Sequence, residues 1–180
     1  MITAKITDSS VKVWDEEDAE EVHSEKYYGK LMDDGRLELS FSEAFHLFER
    51  DEIEIEDESG EGLEREEVFQ KFCDIDEEFD QKYTVYSDLR ERGYIVKSGF
   101  KFGSHFRVYP RGVNPYAEGE KRDRQHTKYL VHAVPENHTM SFQEMSRAAR
   151  LAQNVRATML WGVVDSENDV TYYEVERTTL

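Results

Sequence analysis

The amino-terminal half of the chain begins with short runs in which apolar and polar residues alternate, a pattern that predicts β-strands. An acidic run at 15–21 interrupts the first two of these strands. The last two flank Asp33-Asp34-Gly35, a sequence typical of a tight hairpin turn. The predicted strands are residues 2–6, 11–14, 27–29 and 36–39.

Helical spacing of apolar residues follows these strands. Ser40 and Glu43 have the spacing of a capping box, in which each side chain accepts a hydrogen bond from the other residue's backbone N–H. Two further helices are predicted over residues 63–75 and 79–92, and Gly93 ends the second of them. The apolar face of the first helix comprises Phe41, Ala44, Phe45 and Phe48.

The carboxyl-terminal half is rich in predicted strands. They are residues 94–97, 100–109, 129–134, 159–164 and 170–175. A second capping box, made of Ser141 and Glu144, opens a helix that runs to about Arg156. The order β-β-β-α-β-β predicts the fold class α/β (α+β), a sheet with a helix packed against it.

Charge is divided unevenly between the two halves. Residues 1–82 contain 9 Lys and Arg against 28 Asp and Glu, a net charge of −19, whereas residues 83–180 contain 14 against 12, a net charge of +2. We therefore predict an acidic domain over 1–82 and a second domain over 83–180. The acidic domain would repel nucleic acid, whereas the second could attract it. Adaptation to a salty cytoplasm is an alternative cause of the acidity, but it does not explain why the excess of acidic residues ends near residue 82.

Composition excludes several classes of protein. No apolar run approaches the roughly 20 residues of a membrane-spanning helix, and residues 1–10 lack the features of a signal peptide. Cys73 is the single cysteine, which rules out an internal disulfide and indicates a cytoplasmic protein. The six histidines lack the spacing of a zinc site, and the sequence contains no phosphate-binding GxxxxGK motif. We expect no metal and no other cofactor.

One region of the second half combines residue types that suit phosphodiester cleavage. Internal transesterification of RNA needs a base for the 2′-hydroxyl, an acid for the 5′ oxygen and a cation for the phosphorane. Tyr109 and His126 could supply the first two roles, although both are also common in structural positions. The cations around them in the sequence are Arg107, Arg111, Lys121, Arg122, Arg124 and Lys128.

The second half resembles the archaeal tRNA-splicing endonucleases. The resemblance rests on GYIVKSGFKFG at 93–103, FRVY at 106–109, HTKYLVH at 126–132, residues 147–155, GVVD at 162–165 and YY at 172–173. It implies a small mixed α/β amino-terminal domain followed by a restriction-endonuclease-like α/β nuclease domain. It also implies cleavage of precursor tRNA at bulge–helix–bulge intron boundaries, which leaves a 2′,3′-cyclic phosphate and a 5′-hydroxyl.

The resemblance assigns roles to individual residues. The family's catalytic tyrosine ends the FRVY strand and falls on Tyr109, as general base. Its catalytic histidine opens the HTKYLV motif and falls on His126, as general acid, whereas His132 is a structural residue of the sheet. The family's catalytic lysine falls on Ala157, which carries no charge.

Three explanations of Ala157 compete. The chain is a disabled variant of a catalytic subunit, a natural non-catalytic subunit, or an enzyme in which Arg156 replaces the lysine. A side chain next to the catalytic position points elsewhere, which argues against Arg156. Retention of Tyr109 and His126 favours a single recent loss, so we expect a disabled catalytic subunit.

Further residues are assigned to RNA binding. Arg150 precedes Ala157 by seven residues, two helical turns, which predicts that both lie on about the same face. The resemblance implies that Arg150 is one of two arginines that sandwich a flipped intron base, and Arg177 is the candidate for the second. A loop at 110–125 contains Lys121, Arg122 and Arg124, which could add phosphate contacts.

The expected partners follow from the same resemblance. A chain of 180 residues has one catalytic unit, whereas the family distributes two active sites over four such units. A homotetramer is therefore expected first, and a heterotetramer with a second endonuclease subunit is the alternative. Two classes of function compete with this one. They are a subunit that only scaffolds a partner and an unrelated RNA-binding module.

Overall fold

Two five-stranded sheets organise the chain, one in each half. The computed structural model describes residues 1–117 and 126–180. The chain divides into two units, Met1–Asp80 and Gln81–Leu180. Both units combine a mostly antiparallel sheet with helices, so the mixed α/β fold class predicted from the sequence is confirmed.

The amino-terminal unit is built on a sheet with strand order β3-β4-β2-β1-β5, in which β1 and β5 are parallel and the other neighbours antiparallel. Its strands are β1 (Ile2–Ile6), β2 (Val11–Val13), β3 (Lys30–Leu31), β4 (Leu37–Leu39) and β5 (Ile53–Glu56). Its helices are α1 (Glu16–Glu20), which continues as a π-helical turn over Glu21–Glu25, α2 (Phe41–Glu49) and α3 (Arg65–Ile75). The hairpin at residues 33–35 joins β3 to β4 as expected, although its first strand lies later than predicted.

The acidic run that was expected only to interrupt two strands forms helix α1. Asp15 caps it, because its carboxylate accepts hydrogen bonds from the backbone N–H groups of Glu17 and Asp18 at 3.0 and 3.1 Å. Ala19 and Val22 are completely buried beneath it. Two apolar residues among the many acidic ones of 15–25 are too few to show helical periodicity in the sequence.

Aromatic rings fill the core between α2 and α3. The capping box of α2 is confirmed, and the ring of Phe45 lies 5.7 Å from Phe69, 6.2 Å from Phe72 and 5.8 Å from Phe79. Phe45, Phe72 and Phe79 are at most 1% exposed. Burial of these rings contributes several kcal/mol to the stability of this unit, about 2 kcal/mol for each ring.

The carboxyl-terminal unit is built on a sheet with strand order β10-β9-β8-β7-β6. Helix α4 (Phe79–Glu91) precedes this sheet, and α5 (Phe142–Asn154) connects the parallel neighbours β8 and β9. Its strands are β6 (Ile95–Ser98), β7 (Phe106–Tyr109), β8 (Tyr129–Pro135), β9 (Thr158–Val164) and β10 (Val170–Val175). The predicted order β-β-β-α-β-β is confirmed. The strand predicted over 100–109 is shorter than expected, because Phe100–Phe102 form a 3₁₀ turn and β7 begins only at Phe106.

Helices cover both faces of this second sheet. On one face, Ala148 and Ala152 of α5 pack against Leu130, Met159 and Trp161. On the other face, residues of α4 contact the strands: Tyr86 lies 5.7 Å from Phe106, ring to ring, and Asp88 accepts a hydrogen bond from Tyr172. The side chains of each strand therefore alternate between an α5 face and an α4 face.

The helix α5 is shorter than predicted. Its capping box is confirmed, but it ends at Asn154, and Arg156 adopts a left-handed conformation with φ of +57°. Ala157 therefore lies outside the helix, directly before β9. The prediction that helical spacing places Arg150 and Ala157 on one face is wrong, because the chain reverses direction between them.

None of the helices within residues 1–117 and 126–180 is long and apolar enough to cross a membrane.

Candidate functional site

Tyr109 ends strand β7 and is 5% exposed. Phe106 and Val108 alternate with Arg107 and Tyr109, and Phe106 contacts α4. Arg107 and Tyr109 therefore lie on the α5 face, where the Arg107 guanidinium is 5.9 Å from the Tyr109 ring. Tyr109 is the last residue of a paired strand, and this pairing restricts its backbone and therefore the direction of its side chain.

His126 lies three residues before β8, and its side chain is exposed. The backbone after it is held on both sides. The Lys128 N–H donates to the Val108 carbonyl at 2.7 Å, and the Lys128 carbonyl accepts from the Thr158 N–H at 3.0 Å. The start of β8 is thus hydrogen-bonded to the end of β7 and to the start of β9, two residues after His126.

Ala157 is 8% exposed and belongs to the apolar cluster under α5. Its N–H donates to the Ala152 carbonyl at 2.9 Å, which ties the chain back to the last turn of α5. Its methyl group presents no charge or polar atom. The position predicted to hold a catalytic lysine is therefore apolar, at the end of the sheet where Tyr109 also lies.

Strand register relates the ends of the three strands. Val108 is opposite Tyr129 in the antiparallel pair β7–β8, and Tyr129 is beside Thr158 in the parallel pair β8–β9. Beyond these pairs the β7–β8 ladder is irregular, because the Lys128 N–H donates to the Val108 carbonyl, one residue before Tyr109. Ala157 belongs to the α5 cluster with Leu130 and Met159, so Ala157, like Tyr109, lies on the α5 face.

The two candidate RNA-binding arginines are exposed, one on α5 and one just after β10. The Gln153 side-chain amide donates to the Arg177 carbonyl at 3.2 Å. Gln153 is three residues after Arg150, so the segment that carries Arg177 lies within about one helical turn of Arg150. The structure brings these two elements together by a contact that the sequence does not indicate.

The remaining cations are divided between the described and the undescribed parts of the chain. Lys121, Arg122 and Arg124 lie outside the described residues. The Arg111 guanidinium lies 5.0 Å from the Tyr94 ring, and the Lys128 ammonium lies 4.9 Å from the Tyr129 ring. A hydrogen bond to the Tyr129 hydroxyl raises the pKa of Lys128, so this side chain stays positively charged.

Lys128, one of the candidate cations of the sequence, makes its side-chain contacts on the other face of the sheet. Its ammonium bonds Tyr129, whose neighbour on the same face of β8, Val131, is opposite Phe106, the residue that contacts α4. These contacts therefore lie on the α4 face, whereas Ala157 lies on the α5 face.

His132 lies within β8, as expected of a structural residue. Its ring stacks on Trp161 at a centroid distance of 4.6 Å, and Trp161 is directly beside it in the β8–β9 register. Among the residues that the structure describes, no group of three or more His, Cys, Asp or Glu side chains is arranged to hold a metal ion.

Both halves of the chain match known family models. The model of the tRNA intron endonuclease, catalytic C-terminal domain, matches residues 79–172, and that of the tRNA intron endonuclease, N-terminal domain, matches residues 2–69. The family that the sequence resembles is thereby confirmed.

Curated relatives agree with this assignment. The chain is 43% identical to the tRNA-splicing endonuclease of Thermococcus onnurineus over 156 residues, 87% of this chain and 84% of that protein. It is 44% identical to that of Thermococcus kodakarensis over 155 residues, 86% of this chain and 85% of that protein. It is 36% identical to that of Methanococcoides burtonii over 174 residues, which are 97% of this chain and 48% of that protein. Matched in order by both domain models, and similar to these relatives over most of its length, the chain belongs to the tRNA intron endonuclease family.

Proposed function

We propose that this chain is a subunit of an endonuclease that cleaves precursor tRNA at bulge–helix–bulge intron boundaries. One observation carries the proposal: the end of β7 and the starts of β8 and β9 meet at one end of the second sheet, with Tyr109, His126 and Ala157 at or beside those positions. The family assignment supports precursor tRNA as the substrate.

The proposed chemistry is an internal transesterification that needs no metal. The phenolate form of Tyr109 takes the proton of the 2′-hydroxyl, and the 2′ oxygen attacks the adjacent phosphorus. The bond from phosphorus to the 5′ oxygen then breaks, and the imidazolium form of His126 donates its proton to that oxygen. The products are a 2′,3′-cyclic phosphate and a 5′-hydroxyl, so atoms and charge balance.

Because Ala157 stands where the family has a lysine, the proposed active site lacks one cation and its activity is reduced. A cation beside the phosphorane stabilises the two negative charges that its non-bridging oxygens carry in the transition state. Loss of a preorganised group of this kind slows the chemical step by about 10²- to 10³-fold. The methyl group of Ala157 contributes no such stabilisation.

The test of this proposal is to restore the charge. Ala157→Lys is expected to cleave a bulge–helix–bulge RNA in EDTA at least tenfold faster than the unmodified chain, with a cyclic phosphate on the 5′ fragment. Adding His126→Ala or Tyr109→Phe to Ala157→Lys should remove the gain, because each variant deletes a proton-transfer partner.

A second function is favoured by the same apolar residue at position 157. A subunit that only scaffolds a catalytic partner has no need of a cation there. If Ala157→Lys folds, binds the RNA and still does not cleave it, this structural role is the correct one and the catalytic proposal is wrong.

Assembly is the second part of the proposal. We infer a tetramer, formed by four copies of this chain or by this chain with a second endonuclease subunit. The strand β10, which lies at the edge of the second sheet, supports this inference because an edge strand can pair with a strand of another subunit.

A further inference from the structure

Two cations lie opposite each other on the pair of strands that carries Tyr109. Lys97 of β6 is directly paired with Arg107 of β7, and Ile95 is paired with Tyr109 in the same ladder. Residues opposite each other in an antiparallel pair point to the same face of the sheet, as do residues two apart in one strand. Lys97, Arg107 and Tyr109 therefore share the α5 face.

The side-chain contacts of Arg107 agree with this placement. Its guanidinium carbon lies 5.9 Å from the centre of the Tyr109 ring and 5.5 Å from that of the Phe102 ring. Phe102 packs against the apolar cluster under α5. The Arg107 Nε donates to the Ser98 carbonyl at 2.9 Å, so one hydrogen bond and two ring contacts hold the guanidinium beside the proposed general base.

This cation is arranged to bind an anion. Within the described residues, Nε is the only Arg107 nitrogen that donates a hydrogen bond, and no carboxylate pairs with the guanidinium. The planar fork of its two terminal nitrogens matches two oxygens of a phosphate. Lys97, directly across the ladder, is 7% exposed, so solvent and salt screen its charge less than that of a surface lysine.

The proposed reaction places one particular phosphate near this pair. Tyr109 takes the proton of the 2′-hydroxyl, and the scissile phosphate is on the 3′ side of the same ribose. His126, which protonates the leaving oxygen, precedes β8, and β8 and β6 flank β7 on opposite sides. The 3′ phosphate is therefore towards β8, and the phosphate on the 5′ side of that nucleotide is towards β6. The Lys97–Arg107 pair, which joins β7 to β6, supplies positive charge on this second side.

We propose that Arg107 binds the phosphate on the 5′ side of the cleaved nucleotide, and that the charge of Lys97 strengthens this binding. The inference rests on the function proposed above. Arg107 is then a substrate-binding residue that holds the ribose with its 2′-hydroxyl at Tyr109, and it takes no part in proton transfer. The sequence places Arg107 among several cations without a distinct role, whereas strand register and the contact with Tyr109 single it out.

The experiment measures binding of a bulge–helix–bulge RNA in which a 2′-deoxy sugar at each cleaved nucleotide prevents cleavage. Arg107→Gln is expected to bind this RNA about tenfold more weakly, because it loses charge-assisted hydrogen bonds to a phosphate. The log–log slope of affinity against salt should fall by about 0.7 to 0.9, the value for one phosphate. Lys101→Gln removes an exposed lysine from the turn at the other end of the β6–β7 hairpin, and it should change the affinity less than about twofold.

A modified RNA identifies the phosphate that Arg107 binds. In this RNA a neutral methylphosphonate replaces the phosphate on the 5′ side of each cleaved nucleotide. The unmodified chain should bind it about as weakly as Arg107→Gln binds the ordinary RNA, and Arg107→Gln should lose no further affinity. If Arg107→Gln weakens binding of both RNAs by the same factor, Arg107 does not bind this phosphate and the inference is wrong.

A conservative variant separates phosphate binding from a structural role. Arg107→Lys keeps the charge but cannot bind two oxygens with a planar fork, so its affinity should lie between those of the unmodified chain and Arg107→Gln. Equal losses in Arg107→Lys and Arg107→Gln would show that the guanidinium only supports the fold. A smaller assembly of Arg107→Gln in light scattering would show that Arg107 pairs with an acidic group of another subunit, and would also overturn the inference.

Cleavage assays distinguish failure of this inference from failure of the proposed function. In the Ala157→Lys background, Arg107→Gln should raise the RNA concentration for half-maximal cleavage by a larger factor than it lowers the saturating rate. A loss confined to the saturating rate would place Arg107 in the chemical step and contradict a binding role. If the unmodified chain binds the RNA and Arg107→Gln binds it equally well, only the inference fails. If the unmodified chain does not bind the RNA, the proposed function fails, and the role of Arg107 fails with it.

Discussion

At the scale of single residues, a half-buried tyrosine hydroxyl joins β10, the last strand of the second unit, to helix α4. The Tyr172 hydroxyl donates to the Asp88 carboxylate at 2.7 Å, and the same carboxylate accepts from Arg92 at 2.8 Å. The pKa of Tyr172 is raised well above its ordinary value. The larger cause is the partial burial of the phenol, and the second is its hydrogen bond to Asp88. The contact links residues 84 positions apart in the sequence.

Tyr172→Phe is expected to lower the free energy of unfolding by about 1 kcal/mol at neutral pH, because it removes a hydrogen bond to a charged acceptor. Tyr173→Phe alters a neighbouring side chain that is 57% exposed, and it should change the free energy of unfolding by less than about 0.5 kcal/mol. Denaturant titration of the three proteins measures both values. Equal stability of all three would show that the bond to Asp88 contributes nothing.

The same pair predicts a dependence on pH. A raised pKa in the folded state means that the contribution of Tyr172 is fully present below about pH 10, the ordinary pKa of tyrosine, and is lost as the pH rises above it. The stability difference between the unmodified chain and Tyr172→Phe should therefore be constant from about pH 7 to 9 and shrink above about pH 10. A difference that grew with pH would contradict the assignment.

At the scale of elements, β10 is the edge strand that the sequence pattern left exposed. Its six residues pair with β9 on one side, and Tyr173 is 57% exposed. An edge strand of this length can pair with another chain, and charged residues on such a strand oppose that pairing. The structure therefore makes β10 the best candidate for a subunit contact.

Tyr173→Lys, and more severely deletion of residues 173–180, is expected to give smaller assemblies than the unmodified chain in light scattering. Ser98→Lys places the same charge on β6, the opposite edge of the sheet, and should leave the mass unchanged. An unmodified chain that is already monomeric, or a Tyr173→Lys variant of full mass, would rule out β10 as the contact.

At the scale of the whole molecule, the separation of charge is the dominant electrostatic feature. The net charge of −17 arises almost entirely within residues 1–82, whereas residues 83–180 are close to neutral. Attraction to RNA phosphates must therefore come from local groups of cations in the second half. Arg150, Arg177 and the sequence segment with Lys121, Arg122 and Arg124 are the candidates.

Replacement of Lys121, Arg122 and Arg124 by Gln is expected to weaken RNA binding and to flatten its salt dependence. The log–log slope should fall by about 0.7 to 0.9 for each phosphate that the variant no longer neutralises. Replacement of Lys12, Lys30 and Lys71 in the acidic half should leave the slope unchanged. The measurement is a series of RNA-binding titrations between about 50 and 300 mM salt, where the Debye length is on the order of 10 Å. An unchanged slope would show that residues 121–124 do not bind phosphate.

Local patterns in the sequence were sufficient for most of the secondary structure. The capping boxes at Ser40 and Ser141, the hairpin after β3 and the order of strands in the second half depend on neighbouring residues, so each could be predicted without knowledge of distant contacts. Helix α1 was missed because its stability comes from the Asp15 cap and from two small buried residues. Its sequence alone is typical of an acidic loop.

The candidate site also has one part that could be predicted from the sequence and one part that required the structure. Tyr109, His126 and Ala157 could be named from motifs in the sequence, since each falls on a position of a known family pattern. The contact that holds the segment of Arg177 near Arg150 required the folded structure. Strand register and helix ends are set by hydrogen bonds and packing between residues far apart in the chain, so no local pattern specifies which side chains become neighbours.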